Sequence, residues 1–172
     1  MDGPASLENY PVSTVIIANL MTLLIYAIGA YVLLQVSLVL VIAYLLLILY
    51  LESRLIAGHC PDCYYYGRTC AFGKGRLSAV FCRRGDPSRF TAMQLTAKDL
   101  LPDFLVFMIP VILGLYLLVV SFSFGILAAV IALLLLGFAG NAAVRGKLAC
   151  RFCRQREIGC PAEQLFNQKR DT

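Results

Sequence analysis

Charged side chains are missing from two long stretches of this 172-residue chain. No Asp, Glu, Lys, Arg or His occurs in the 43 residues from Asn9 to Leu51 or in the 41 residues from Phe104 to Val144. Overall 15% of the residues are charged and 60% are hydrophobic. A soluble domain has about 25% charged residues, and a disordered chain has few apolar ones. Both classes are therefore excluded, and the sequence predicts a membrane protein.

Each uncharged stretch has the length of two membrane-spanning helices joined by a turn, since one span needs about 20 apolar residues. The predicted fold is an all-α membrane protein of two tandem helical hairpins. We place the four spans near residues 12–34, 37–57, 100–121 and 125–144, with turns at residues 34–37 and 121–125. The chain then divides into a first hairpin (1–59), a Cys-rich loop (60–99), a second hairpin (100–144) and a Cys-rich tail (145–172).

Except for Arg54, the hairpins lack basic residues, and every Lys and Arg lies in or next to the Cys-rich loop or the Cys-rich tail. Eight of the 15 Lys and Arg lie between Arg54 and Lys98, and the other seven lie between Arg145 and Arg170. The positive-inside rule therefore predicts that both segments are cytoplasmic, and an even number of spans places both termini there as well. No Lys or Arg precedes the first span, so we expect that this span is not a cleaved secretory signal.

Several catalytic patterns are also absent. Glu52 and Asp103 lie at the cytoplasmic boundary, and the interiors of the spans carry no ionisable side chain of the kind that proton and ion carriers keep at membrane depth. The chain offers no paired carboxylates and no Ser–His set for hydrolysis, and residues 73–76 do not match a Walker phosphate loop. The single histidine, His59, adjoins Cys60 too closely to act with it as a nucleophile–base pair. A non-catalytic role is therefore expected.

What the sequence does contain is a cysteine pattern that occurs twice. Two sets of three cysteines share the spacing Cys-x2-Cys-x6-Cys, 90 residues apart: Cys60, Cys63 and Cys70, and Cys150, Cys153 and Cys160. The same offset carries the first hairpin onto the second, with residues 34–37 falling on 124–127. We therefore predict a tandem repeat of two parallel units, related by a pseudo-two-fold axis along the membrane normal.

Two cysteines separated by two residues can place both sulfurs on one metal ion, and two further thiolates complete a tetrahedral site. One option is a local set that adds Cys70 and Cys82 to the pair Cys60/Cys63. Another joins Cys60/Cys63 with Cys150/Cys153 between the two units. The seven cysteines and the histidine could also fill two sites, so the candidate ligands are Cys60, Cys63, Cys70, Cys82, Cys150, Cys153, Cys160 and His59.

Zinc is the expected metal, and an iron–sulfur cluster is the alternative. Disulfides are disfavoured by the cytoplasmic placement and by the odd number of cysteines, and inert thiols would not repeat their spacing. The ferredoxin run Cys-x2-Cys-x2-Cys-x3-Cys-Pro is absent, which favours zinc over iron and sulfide.

The predicted function is a membrane scaffold or partner-binding subunit, in which zinc stabilises Cys-rich segments that could hardly bury a core. The alternative is an electron-transfer or thiol-redox protein with an iron–sulfur cluster or a reactive Cys pair. Anionic lipid headgroups are the expected partners of the basic residues, together with a protein partner at the cytoplasmic face; nucleic acid is not expected. Tyr64, Tyr65 and Tyr66 are interpreted as an interfacial aromatic belt.

Overall fold

The structure, a computed structural model, describes residues 6–93 and 97–161, without the side chains of residues 97–100. Within these residues every regular element is helical and none is a strand, so the all-α prediction is confirmed. The end of the predicted Cys-rich tail, residues 162–172, lies outside the described residues. In chain order the helices are α1 (Val12–Leu34), α2 (Leu38–Gly58), α3 (Lys74–Phe81), α4 (Pro87–Ala92), α5 (Ala97–Val120), α6 (Phe124–Leu134), α7 (Asn141–Ala143) and α8 (Arg154–Gly159).

Four of the helical segments are long and apolar enough to cross a membrane, as predicted. Between 11% and 22% of the residues in their apolar windows are buried, so most of their hydrophobic side chains face outward, as lipid-facing side chains do. The first two of these segments contain α1 and α2, and the third, Leu101–Val120, lies within α5. The fourth, Phe124–Phe152, begins with α6 and continues through α7.

The two hairpins pack into one bundle. Helices α1 and α5 pack against each other, and each of them also contacts both α2 and α6. Two clusters of buried side chains lie at these contacts: Val32, Val111, Ala129 and Leu133 in one, and Leu33, Tyr44, Leu51 and Val106 in the other. The second cluster joins α1 and α2 to α5, so neither hairpin buries its inner face alone.

A proline inside α5 leaves one backbone carbonyl without a hydrogen-bond donor, and a side chain of α2 supplies that donor. Pro110 has no N–H, so the Val106 carbonyl four residues earlier lacks its usual helical donor. The Tyr44 hydroxyl donates a hydrogen bond of 3.1 Å to that carbonyl. Gly29 leaves room for the hydroxyl, since a Cβ at residue 29 would lie 2.5 Å from the Tyr44 Oη. An unpaired carbonyl in hydrocarbon costs several kcal/mol, so this contact ties the two hairpins together at depth.

The fourth span corrects the prediction in length and in register. The sequence places its end near residue 144, but helical structure continues to Ala149 through π-helical segments at Leu135–Gly140 and Val144–Ala149. Ser37 and Ser123, the residues before α2 and α6, are 86 positions apart rather than 90. The single 90-residue register was therefore wrong for the turns. The fourth span has four more residues before its first cysteine, and i→i+5 hydrogen bonding places extra residues in each helical turn.

Helix α3 packs on the end of α2 that carries the Cys-rich loop. The side chain of Ser78 is fully buried, and its Oγ donates a hydrogen bond of 3.0 Å to the Ile56 carbonyl. Gly75 is buried against the backbone of Tyr65, and a Cβ at residue 75 would overlap the Tyr65 carbonyl oxygen. The loop after α2 therefore folds back against the bundle.

We expect Tyr44→Phe to lower the free energy of unfolding in detergent by about 1 kcal/mol, because the Val106 carbonyl loses its donor. In a Pro110→Ala background, residue 110 regains an N–H for that carbonyl, and the same substitution should then cost less than half as much. A double-mutant cycle measured by denaturant unfolding checks this coupling. Equal costs in both backgrounds would mean that the hydroxyl does not compensate for the proline.

Candidate metal centre

Each Cys-x2-Cys pair lies in a 3₁₀ turn that follows a span. We call them the first cysteine turn, Cys60–Cys63, and the second cysteine turn, Cys150–Cys153. In both, the amide of the second cysteine donates a bond of 3.3 Å to the carbonyl of the first. The amide three residues later donates to the carbonyl of the second cysteine, at 3.0 Å from Tyr66 and 3.1 Å from Arg156. The two turns therefore have the same pattern of backbone hydrogen bonds.

Backbone amides also point at three of the sulfurs. The Tyr65 amide donates to Cys63, and the amides of Gln155 and Arg156 donate to Cys153. The Gly75 amide donates to the Cys70 sulfur at 3.4 Å. Such donors favour the thiolate over the thiol, and metal-bound cysteines receive the same kind of support from outside the ligand shell.

The cysteines of the two sets are neighbours in space. The pKa of Cys63 is raised to about 11, mainly by burial and to a smaller extent by the neighbouring Cys153, Cys70 and Cys160. Burial is also the main reason that the pKa of Cys153 is raised, and Cys160 and Cys150 add to it. Thiolates in this cluster therefore need a compensating cation, which a bound metal ion would supply.

Coordination geometry itself is not formed. All seven cysteines are reduced thiols. Among the described residues, no group of three or more Cys, His, Asp or Glu side chains is arranged to hold a metal ion. The cysteine sulfurs would have to move until four of them lay about 2.3 Å from one ion.

Cys82 and His59, the candidates outside the repeated pattern, have other surroundings. Cys82 ends α3, and its carbonyl accepts a hydrogen bond of 2.7 Å from the Tyr66 hydroxyl. His59 caps the end of α2 and lines a cleft of about 30 Å³ together with Arg54 and Asp103. A metal site that used Cys82 or His59 as a ligand would therefore require that residue to leave these contacts.

The residues before α1 join the two cysteine turns, and no pattern in the sequence predicts this contact. We call residues 6–10 the amino-terminal strap. Leu7 donates its amide to the Phe152 carbonyl at 2.9 Å and forms an isolated parallel β-bridge with Cys153. Tyr10 donates its amide to the Thr69 carbonyl at 2.9 Å. The strap therefore bonds to the second cysteine turn and to the segment that follows the first, through backbone groups that leave no pattern in the sequence.

Tyr65 is the side chain around which these segments meet. Its hydroxyl donates to the Leu7 carbonyl at 2.6 Å and accepts from the Arg154 amide at 3.1 Å. Burial raises the pKa of Tyr65 to about 12, so the hydroxyl keeps its proton near neutral pH. Gln155, which is 4% exposed, adds a second link by accepting the Tyr64 amide at 2.8 Å.

The same region corrects two expectations. Tyr65 is 2% exposed and packs with Tyr10, Ala71 and Ala149, so the aromatic-belt interpretation was wrong for this residue. The Cys-rich segments were also expected to bury hardly any core. Together with Tyr10 of the strap and Ala149 at the end of the fourth span they do bury a small apolar cluster, against which Cys63, Cys70 and Cys153 lie.

Comparisons of the chain with protein-family models, with curated proteins and with solved structures give no match.

We expect Tyr65→Phe to destabilise the contacts between the strap and the two cysteine turns by about 1–3 kcal/mol, because the Leu7 carbonyl and the Arg154 amide lose a buried partner. Limited proteolysis should then cut the strap faster than in the original protein. Tyr64→Phe is the matched control, since that hydroxyl bonds to Arg68 at the surface. Equal protease sensitivity of the two variants would argue against a joining role for Tyr65.

Proposed function

We propose that this chain is a multi-pass membrane protein in which the two cysteine turns together bind structural zinc at one face of the bilayer. The resulting module acts as a scaffold or as a docking subunit for a protein partner at that face. The four apolar helices insert as two hairpins, and the metal fixes the segments that follow them.

The observation that carries this proposal is the meeting of the two cysteine sets around Cys63 and Cys153. Both residues are partly buried and receive backbone N–H bonds, and Cys63 has Cys153 and Cys160 of the other set as neighbours. Four of these six thiolates could fill one tetrahedral zinc site, or all six could hold two zinc ions that share two sulfurs. Among the ligand sets open to the sequence, we therefore favour the set that draws on both units over the local set with Cys82.

We further propose that both cysteine segments and both termini are cytoplasmic, because every Lys and Arg lies in or next to these segments. The strap supports this placement, since residues 6–10 bond to both segments and must share their side of the membrane. The two units form a parallel repeat in this proposal. The matching backbone hydrogen bonds of the two cysteine turns support this repeat. The symmetry is only approximate, because the turns inside the two hairpins are 86 residues apart and the cysteines are 90 residues apart.

Protein purified without oxygen should contain zinc, and both Cys63→Ser and Cys153→Ser should lose most of it. Apparent binding energies of zinc modules reach about 10–16 kcal/mol, so both variants should also become protease-sensitive between Arg54 and Lys98. Cys82→Ser is the matched control and should keep its zinc. Elemental analysis gives the metal content, and limited proteolysis gives the stability.

The same three variants separate the ligand sets. Loss of zinc in Cys82→Ser with retention in Cys153→Ser would replace the shared site by the local one. Retention of zinc in both Cys63→Ser and Cys153→Ser would remove the shared site altogether.

A second candidate is an electron-transfer protein, favoured by the amide N–H bonds to three sulfurs. Bonds of this kind tune the reduction potential of iron–sulfur clusters, which cysteine thiolates also hold. Iron and sulfide in brown, anaerobically purified protein would select this candidate. Colourless protein with zinc would select the scaffold.

Thiol labelling checks the topology in a variant whose seven native cysteines are replaced by Ser. A cysteine at Ser88, on exposed α4, should react with a membrane-impermeant maleimide only after the cells are opened. A cysteine at Gln35, in the exposed turn between α1 and α2, should react in intact cells. The reverse pattern would invert the orientation.

A further inference from the structure

Helix α3 carries an apolar face that the described residues leave uncovered. Leu77, Val80 and Phe81 are spaced as i, i+3 and i+4 and are 44%, 76% and 75% exposed. Residues at this spacing share one side of a helix, so they form a single stripe. Contiguous apolar surface of this kind commonly marks an interaction site.

The contacts that α3 makes with α2 fix where that stripe lies relative to the spans. Buried Ser78 bonds to the Ile56 carbonyl of α2, and Ile56 falls within the apolar segment Leu38–Asp62. Lys74, at the start of α3, pairs with Glu52 of α2 at 2.5 Å. Helix α3 therefore lies beside the end of a span, at the depth where hydrocarbon gives way to headgroups.

The charges around the stripe are mostly positive. Arg76, Arg83 and Arg84 are exposed on or just after α3, and Arg89 is exposed on α4. Acidic groups are also near: Asp86 accepts the Ser88 amide at the start of α4, and Glu52 is paired with Lys74. The exposed arginines thus outnumber the exposed carboxylates along residues 76–89, and arginine suits phosphate.

We propose that α3 is an interfacial helix, with Leu77, Val80 and Phe81 inserted at the headgroup boundary of the membrane that the chain's own spans cross. The arginines at positions 76, 83 and 84 bind the phosphates of anionic lipids. An apolar face flanked by arginines, next to a span, is the arrangement of helices that lie in the membrane surface. This inference rests on the proposed membrane insertion and not on the metal. If α3 lies in the membrane surface, the first cysteine turn is held against the bilayer.

The chain has no Trp, so one introduced Trp reports its own surroundings. The test uses Phe81→Trp in vesicles of phosphatidylcholine and phosphatidylglycerol, with nitroxide groups on the lipid headgroups or high on the acyl chains. We expect a blue-shifted emission that these lipids quench. Ile158→Trp, on exposed α8, is the matched control and should remain unquenched. If Phe81→Trp is as unquenched as Ile158→Trp, the face is not bound to lipid, and a protein partner or water covers it.

Leu46→Trp separates this inference from the proposed membrane insertion. Leu46 is 61% exposed on α2, deep in a span, so nitroxides placed deep on the acyl chains should quench a Trp there. Quenching at residue 46 without quenching at residue 81 overturns the interfacial helix alone. Absence of quenching at both positions overturns the membrane assignment as well.

A charge variant tests the arginine contacts. Each basic residue near an anionic surface contributes a factor of about five in binding. We expect quenching of Phe81→Trp to prefer spin-labelled phosphatidylglycerol over spin-labelled phosphatidylcholine, and Arg83→Gln with Arg84→Gln to abolish most of this preference. An unchanged preference in the double variant would contradict the role of these arginines.

Discussion

The meeting of two chain segments at one end of the bundle is the constraint on which the rest of this account depends. One segment follows α2 and the other follows the fourth span, and about 90 residues separate their cysteine turns. The Tyr65 hydroxyl and the amino-terminal strap hold them together through buried hydrogen bonds. A shared metal site depends on this contact, since the second segment brings only three cysteines of its own, one fewer than a tetrahedral site needs.

Much of the fold could be predicted, because charged residues are excluded from spans for a simple energetic reason. The start of α1 follows from the uncharged stretch between Glu8 and Glu52, and the polar residues Gln35 and Ser37 mark the turn inside it. The fourth span could not be predicted as well, since Arg145 and Lys147 lie inside continuing helix. Charge marks where a helix can leave hydrocarbon, but it does not mark where the helix ends.

Less of the candidate site could be predicted. The spacing of the cysteines marked two sets of three as candidate ligands, and the structure places Cys63 of one set near Cys153 of the other. The strap and Tyr65 left no comparable signal, because their contacts use backbone groups and a tyrosine that also suits a membrane interface. Whether cysteine sulfurs meet on a metal ion depends on small side-chain movements, and the spacing of cysteines does not report them.

The central claim is that sulfurs from both cysteine turns lie together in the folded protein. A variant that keeps only Cys63 and Cys153, with the other five cysteines replaced by Ser, can be treated with a short thiol-to-thiol crosslinker and digested. The account predicts an intramolecular link between the peptides that contain these residues, found by mass spectrometry, and a much weaker link when Cys82 replaces Cys63. Equal yields from the two pairs, or links only between separate molecules, would contradict it.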